Sequence, residues 1–244
     1  MSEHGAMLSE TASRIFGDAG KLTAAEAERA IRDAGLAEVM VPAEAGGFGG
    51  GIEDANRIFF AAGEHALEFP IAEVVIDAAA KGWDADKKFR AMALARSGQI
   101  AGAISAALTL SVEYTRQRQQ FGKPLAAFQA IQQQLAVLAE EAAAARAAAS
   151  AAARAADRGD AKFEIASAKL RANIAAGQAA SIAHQVHGAI GFTKEYELQK
   201  FTRRLWAWRS DYGNDRHWAD EIGRLAASRG ADGFWPGLTS GFAA

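Results

Sequence analysis

The 244-residue chain contains no cysteine. That single absence removes disulfides, thiolate nucleophiles, iron–sulfur clusters and cysteine-ligated zinc, and it favours a reducing compartment. Four prolines leave few places where a helix must stop. No positive charge is in excess: Lys+Arg 27 against Asp+Glu 29 gives a net charge of -2, which argues against a nucleic-acid partner. Met1 to Gly20 carries scattered acids and no apolar run, so neither a secretory signal nor an Arg-rich transit peptide is expected. A cytoplasmic protein with no membrane partner is the expectation. Strand-like alternation is nearly missing apart from a few residues around Val39, and no repeat period is visible.

What is present is alanine, which loses no side-chain entropy in a helix. Half of the residues are hydrophobic and 23% are charged, a globular balance that at this length buries roughly 70% of the unfolded surface. The fold is expected to be all-α. Thr23 followed by Glu26 predicts a capping box opening a helix over Ala24–Ala34, with Gly35 ending it. A glycine loop follows, Gly46 to Gly51, then helices over Asp54–Leu67 and Ile71–Ala80 split at Pro70. Lys81-Gly82-Trp83-Asp84 is the expected domain boundary. Beyond it Asp84 can cap a helix from Ala85 to about Gln120, with Leu94, Ile100, Ile104, Leu108 and Val112 at helical spacing. Further helices are predicted from near Ala126, over Ala161–Val186, from Glu195 to about Trp208 and from Asp215 to about Ser228. The resulting organisation is an N-terminal helical domain over 1–83, a C-terminal helix bundle over 84–229 and a tail over 230–244.

Much familiar chemistry is missing. No Glu-x-x-His occurs, so a di-iron bundle is not expected. His184 and His187 lie three apart without a carboxylate pair, and no metal site is expected. Walker A, a dinucleotide fingerprint after a strand and Gly-x-Ser-x-Gly are all absent. Richer is the C-terminal third, where Arg203, Arg204, Trp206, Trp208, Arg209, Arg216 and Trp218 cluster. Such residues form either a snorkelling surface face or a site for an interface or a phosphate-bearing ligand.

Three stretches carry a family resemblance. Tyr114-Thr-Arg-Gln-Arg118-Gln-Gln-Phe121-Gly122-Lys123-Pro124, with Phe128-Gln129-Ala130-Ile131 after it, resembles the Arg-x-x-Phe-Gly segment of acyl-CoA dehydrogenases and its following Gln-Ala-Ile/Val. Gln185-Val-His187-Gly188-Ala189-Ile190-Gly191-Phe192 is similar to their Gln-x-x-Gly-Gly-x-Gly-Phe, with Ala189 at the second glycine. Val41-Pro42-Ala-Glu44-Ala-Gly46-Gly47-Phe48-Gly49 resembles a motif of their N-terminal helical domain. The resemblance implies an FAD-contacting set of Arg118, Phe121, Gln129, Gln185, Gly188 and Gly191, in which the guanidinium neutralises pyrophosphate and glycine admits close backbone approach.

Two departures define the expectation. The family's middle β-domain, which walls in the isoalloxazine, belongs between Ala80 and Asp84, where no residues exist to build it. The family's catalytic base, a Glu in a Tyr-Glu-Gly-Thr-like turn, aligns with Tyr212; the alternative base position, early in the first long helix, falls close to Met92. Asp211, one residue away and one carbon shorter, is the candidate substitute, with Tyr212 the other. The resemblance therefore implies a non-catalytic subunit of a hetero-oligomeric acyl-CoA dehydrogenase, similar to the base-less subunits of bacterial steroid-degrading enzymes. Such a chain shares FAD with a full-length partner subunit that acts on an acyl-CoA, possible substrates including a steroid side chain or another bulky acyl group. Two other readings stand beside it: a catalytically inactive homo-oligomer that binds acyl-CoA or acts as a scaffold, and an independent dehydrogenase using Asp211 or Tyr212. An oligomer of unspecified stoichiometry is expected in the first two.

Overall fold

Helix signals in the sequence translate almost directly into elements. The computed structural model describes residues 3–240, with side chains from 5 to 239. Among these residues the helices are α1 (Glu3–Ala19), α2 (Ala24–Asp33), α3 (Ile52–Glu64), α4 (Ile71–Ala79), α5 (Ala85–Gln117), α6 (Gln129–Ala156), α7 (Lys162–His187), α8 (Leu198–Ser210) and α9 (Asp215–Ser240). Strands β1 (Gln119–Gln120) and β2 (Lys123–Pro124) pair antiparallel in the one sheet of the described residues. The fold is all-α, and α4 passes to α5 with no sheet domain between them. No described helix is long and apolar enough to cross a membrane.

Caps place the helix starts. The Thr23–Glu26 capping box forms in both directions, and Asp84 accepts a 2.7 Å hydrogen bond from the Lys87 amide at the head of α5. A long-range cap starts α3: Asp157, 105 residues away, accepts from the amides of Ile52 (2.7 Å) and Glu53 (2.9 Å). That carboxylate ties the N-terminal helices to the far end of α6 and sits where the α3 dipole favours negative charge.

Two linked features make the N-terminal helices and the bundle one packed body. A core cluster runs through Phe16, Ile31, Phe59, Ile71, Leu94, Ile165 and Trp218, drawn from both parts of the chain. In addition α3 and α5 touch main chain to main chain: a Cβ on Gly63 would overlap the Gln99 carbonyl, and one on Gly102 would overlap the Phe60 carbonyl. Deeper in the bundle, Ala145 of α6 shares a second core cluster with a row on α7, Ala172, Ala176 and Ala179, all fully buried. Small side chains there let α5, α6 and α7 approach closely.

Three segments add to the expectations. Most of Met1–Gly20, which carries no apolar run, forms α1 and buries Ala12, Ile15 and Phe16. The strand-like residues at Val39 lie between short 3-10 turns, Leu36–Glu38 and Ala43–Ala45, because the apolar run is too short to pair. The Gly loop folds back on them, Gly49 and Gly50 donating to the Val41 and Val39 carbonyls (both 2.8 Å). In the segment read as a tail, Gly230 (φ 67) interrupts α9 and the helix resumes to Ser240, with Phe234 edge-on to Phe163. Residues 241–244 of that tail lie outside the described residues.

Candidate functional site

The first two motifs meet at one end of the bundle. Tyr114 near the end of α5 stacks on His187 at the end of α7, ring centroids 4.6 Å apart. A carbonyl can only accept, so the 2.7 Å contact between His187 Nδ1 and the Ala183 carbonyl fixes the proton on Nδ1. In the neutral ring Nε2 then accepts from the Tyr196 hydroxyl at 3.1 Å. Burial holds this imidazole below its usual pKa, which keeps it neutral, and it holds Tyr196 above its own. His184, one turn earlier, contacts Thr202 at 3.0 Å through Nε2 and lies flat between Phe192 and Trp206. Its Nδ1 is buried and unpartnered, facing Gly191. Burial, and His187 beside it, lower the His184 pKa as well. Both histidines are thus bound into aromatic stacks.

Around this scaffold stand the six residues implied to contact FAD. Gly188 ends α7 at φ 65, ψ -146, backbone angles closed to other residues, and a Cβ there would face open space. Gly191 is packed the other way, since a Cβ on it would press on His187 and Leu198 at 3.1 Å each. Gln185, Gln129 and Arg118 are exposed, and Arg118 has no ion pair among the described residues. Phe121 and Gly122 have φ 52 and φ 78, the paired positive values of a two-residue hairpin turn. That turn lifts the Phe121 ring into solvent at 90% exposure. Lys123 Nζ sits 4.3 Å over Phe128 at its base. An exposed guanidinium at the end of α5 and an open glycine at the end of α7, on segments joined by the Tyr114–His187 stack, are groups of the kind that take a pyrophosphate, so these residues fit the adenosine-diphosphate side of FAD. Nothing in the described residues supplies a wall for the isoalloxazine.

The third motif goes elsewhere. Its loop runs into α3, whose head meets Asp157 at the far end of α6, roughly 40 Å along that helix from Gln129.

Both candidate base positions converge on one cation, well away from the His187 stack. Arg96, one turn beyond the buried Met92 on α5, donates from Nε to Asp211 at 3.1 Å, and its other nitrogens reach Glu73 of α4 and Gln99. The guanidinium lies 5.6 Å from the Tyr212 ring centroid and 5.7 Å from that of Trp208. Asp211 is therefore committed to an ion pair. Burial and Glu73 together raise the Tyr212 pKa, which makes the phenol a worse base still.

Lys169 fixes the same turn from below. Fully buried on α7, its Nζ bonds Asn173 and the carbonyls of Trp208 (3.1 Å), Arg209 and Gly213 (both 3.4 Å). Trp218 Nε1 donates to the Tyr212 and Gly213 carbonyls at 3.0 and 3.1 Å, and Asn214 caps α9 through the His217 amide. Burial pulls the Lys169 pKa down to about 7. Sequence reasoning missed both Arg96 and Lys169. The available signal was a charged residue on the apolar face of a long helix. The C-terminal aromatic and basic residues divide between roles: Trp218 is core, Arg209 pairs with Asp215, and Arg203 and Arg204 line a groove.

An acyl-CoA dehydrogenase of Bacillus subtilis (strain 168) is 34% identical over 176 residues, covering 69% of this chain and 46% of the relative. The 3-sulfinopropanoyl-CoA desulfinase of Paraburkholderia xenovorans is 31% identical over 102 residues, 42% of this chain and 26% of the relative. The chain thus spans less than half the length of these curated relatives. Among solved structures, the ChsE4-ChsE5 complex from Mycobacterium tuberculosis superposes with a TM-score of 0.84 at 16% identity, covering 93% of this chain and 98% of that one. A Tcur3481-Tcur3483 steroid ACAD variant gives 0.83 at 18% identity, over 93% and 98%; these two likenesses speak for the fold. A family model described as "Acyl-CoA dehydrogenase, C-terminal domain" matches residues 80–217, more than half of the sequence, and the chain belongs to the acyl-CoA dehydrogenase family.

Proposed function

We propose that this chain is a non-catalytic subunit of a hetero-oligomeric, FAD-dependent acyl-CoA dehydrogenase. The observation that carries the reading is the contrast between the two ends of the bundle. At the His187 end, an exposed Arg118 with no ion pair among the described residues, the Phe121 hairpin and the open Gly188 are available to a ligand. At the other end, where a base is needed, Arg96 takes up Asp211 and Glu73, and Tyr212 and Met92 occupy the two family positions. General-base catalysis needs a carboxylate free to accept a proton at the reacting carbon.

In this reading Arg118 and the main chain at Gly188 hold the pyrophosphate. Gln129 and Gln185 orient the adenosine side, and Phe121 covers it. When bound, FAD supplies hydride acceptance from the acyl β-carbon. The base and the second wall of the pocket come from a full-length acyl-CoA dehydrogenase partner, for which fold neighbours that are themselves two-component assemblies give support.

Co-expression with genomically adjacent acyl-CoA dehydrogenases tests this. A stable yellow complex with less than one FAD per chain is expected, and Arg118→Ala in that complex lowers flavin retention through gel filtration. A colourless homo-oligomer indifferent to every such neighbour favours the inactive binding or scaffolding protein instead. Flavin reduction by an acyl-CoA with the isolated chain favours an independent enzyme.

A further inference from the structure

Outside both of these regions, α8 turns a basic edge toward the N-terminal helices. Lys200, Arg203 and Arg204 form one side of a groove of about 950 Å³, and Phe16, Leu22 and Phe69 form the apolar side. Its size lies within the range of about 300–1,000 Å³ that accommodates small molecules. Phe16 closes the floor, while Leu22 keeps 41% of its surface exposed.

The charges in this groove are unevenly matched. Lys200 is engaged by Glu197 at 3.2 Å and Glu28 by Arg32 at 2.9 Å. Arg203 has no ion pair among the described residues. Arg204 is 22% exposed and gives one N–H to the Lys200 carbonyl of its own helix at 2.9 Å. Its carboxylate neighbour is Glu68 at 4.0 Å, a side chain 97% exposed. Burial works against the Arg204 charge, Glu68 supports it, and the adjacent Arg203 works against it again. A pair of guanidinium groups so weakly neutralised, in a concave apolar setting, is relieved by an anion held in bidentate fashion.

We propose that this groove binds an anionic amphiphile, its carboxylate or phosphate head on Arg203 and Arg204 and its apolar body along Leu22 and Phe69. The site is independent of the flavin reading.

Calorimetric titration of the full chain with dodecanoate, dodecyl phosphate and dodecanol, all below their aggregation concentrations, tests it, with sodium acetate and inorganic phosphate as head-only probes. Saturable binding of one or both anionic amphiphiles is expected, weakened about tenfold by Arg203→Ala. The stronger of the two identifies the head group. Leu22→Ser, an exposed substitution that leaves the arginines in place, weakens the same binding. The proposal is overturned if neither amphiphile binds, if dodecanol binds as tightly, if the head-only probes bind as tightly, or if a correctly folded Arg203→Ala protein binds unchanged.

Discussion

Arg96 and Asp211, 115 residues apart in the sequence, meet through a 3.1 Å hydrogen bond between the guanidinium Nε and a carboxylate oxygen. Glu73 closes on the same guanidinium from α4. Replacing Arg96 by Met therefore strands two carboxylates. A fully buried pair broken this way costs about 3–5 kcal/mol, but Asp211 is 42% exposed, so we expect about 2–3 kcal/mol. Asp211→Asn should cost less than half as much, because Glu73 still neutralises the arginine. Urea unfolding midpoints decide it; an equal loss in both variants contradicts the shared-cation arrangement.

Lys169 makes stability depend on pH in a defined direction. Its folded pKa of about 7 lies below the ordinary lysine value of 10.5, so between these limits the unfolded chain carries a proton that the folded chain does not. Stability contributed by this group therefore rises as pH climbs from about 7 toward 10.5, and the desolvation cost is fully present below 7. Lys169→Met should flatten that rise. Denaturant unfolding of the two proteins at pH 6.5 and 9.5 measures the difference, and parallel profiles refute it.

The crossing of α3 and α5 allows no added methyl. Gly102→Ala sets a Cβ against the Phe60 carbonyl, and because main chain cannot rotate aside, a loss of about 3 kcal/mol is expected. Gly223→Ala on α9, with nothing within 4 Å of its Cβ, should instead gain about 0.5–1 kcal/mol. Thermal unfolding of the pair gives opposite signs if the close approach exists.

Asp157 supplies both oxygens to the head of α3. Asp157→Ala is expected to cost about 1–2 kcal/mol and to speed hydrogen exchange at the Ile52 and Glu53 amides before it affects α7. Unchanged exchange at these two amides counts against the cap.

Local signals were the readable part of the fold. The Thr23–Glu26 box and the Asp84 cap need only neighbours three residues away, and both appear where the sequence places them. The helix over Glu3–Ala19 was hidden because its buried hydrophobic residues, Ala12, Ile15 and Phe16, all fall in its second half and leave the first half without an apolar stripe. The site divides the same way. Motif spelling singled out Arg118, Gly188 and Gly191, but the Tyr114–His187 stack that brings their segments together spans two helices and has no sequence signature. Arg96 and Lys169 stand on the apolar faces of long helices, which marks them as unusual but does not name their partners. Their partners at Trp208, Asp211 and Gly213 come from the last turn of α8 and the turn that follows it, which only tertiary packing delivers.

Because the α3–α5 crossing is carbonyl against glycine, the two halves of the molecule interlock like teeth without backlash. Side-chain repacking is the usual source of sliding between helices, and at Gly63 and Gly102 main chain meets main chain with no side chain between them to repack. The hairpin carrying Phe121 thus rides on the same long helix that is keyed, glycine to carbonyl, into the N-terminal layer.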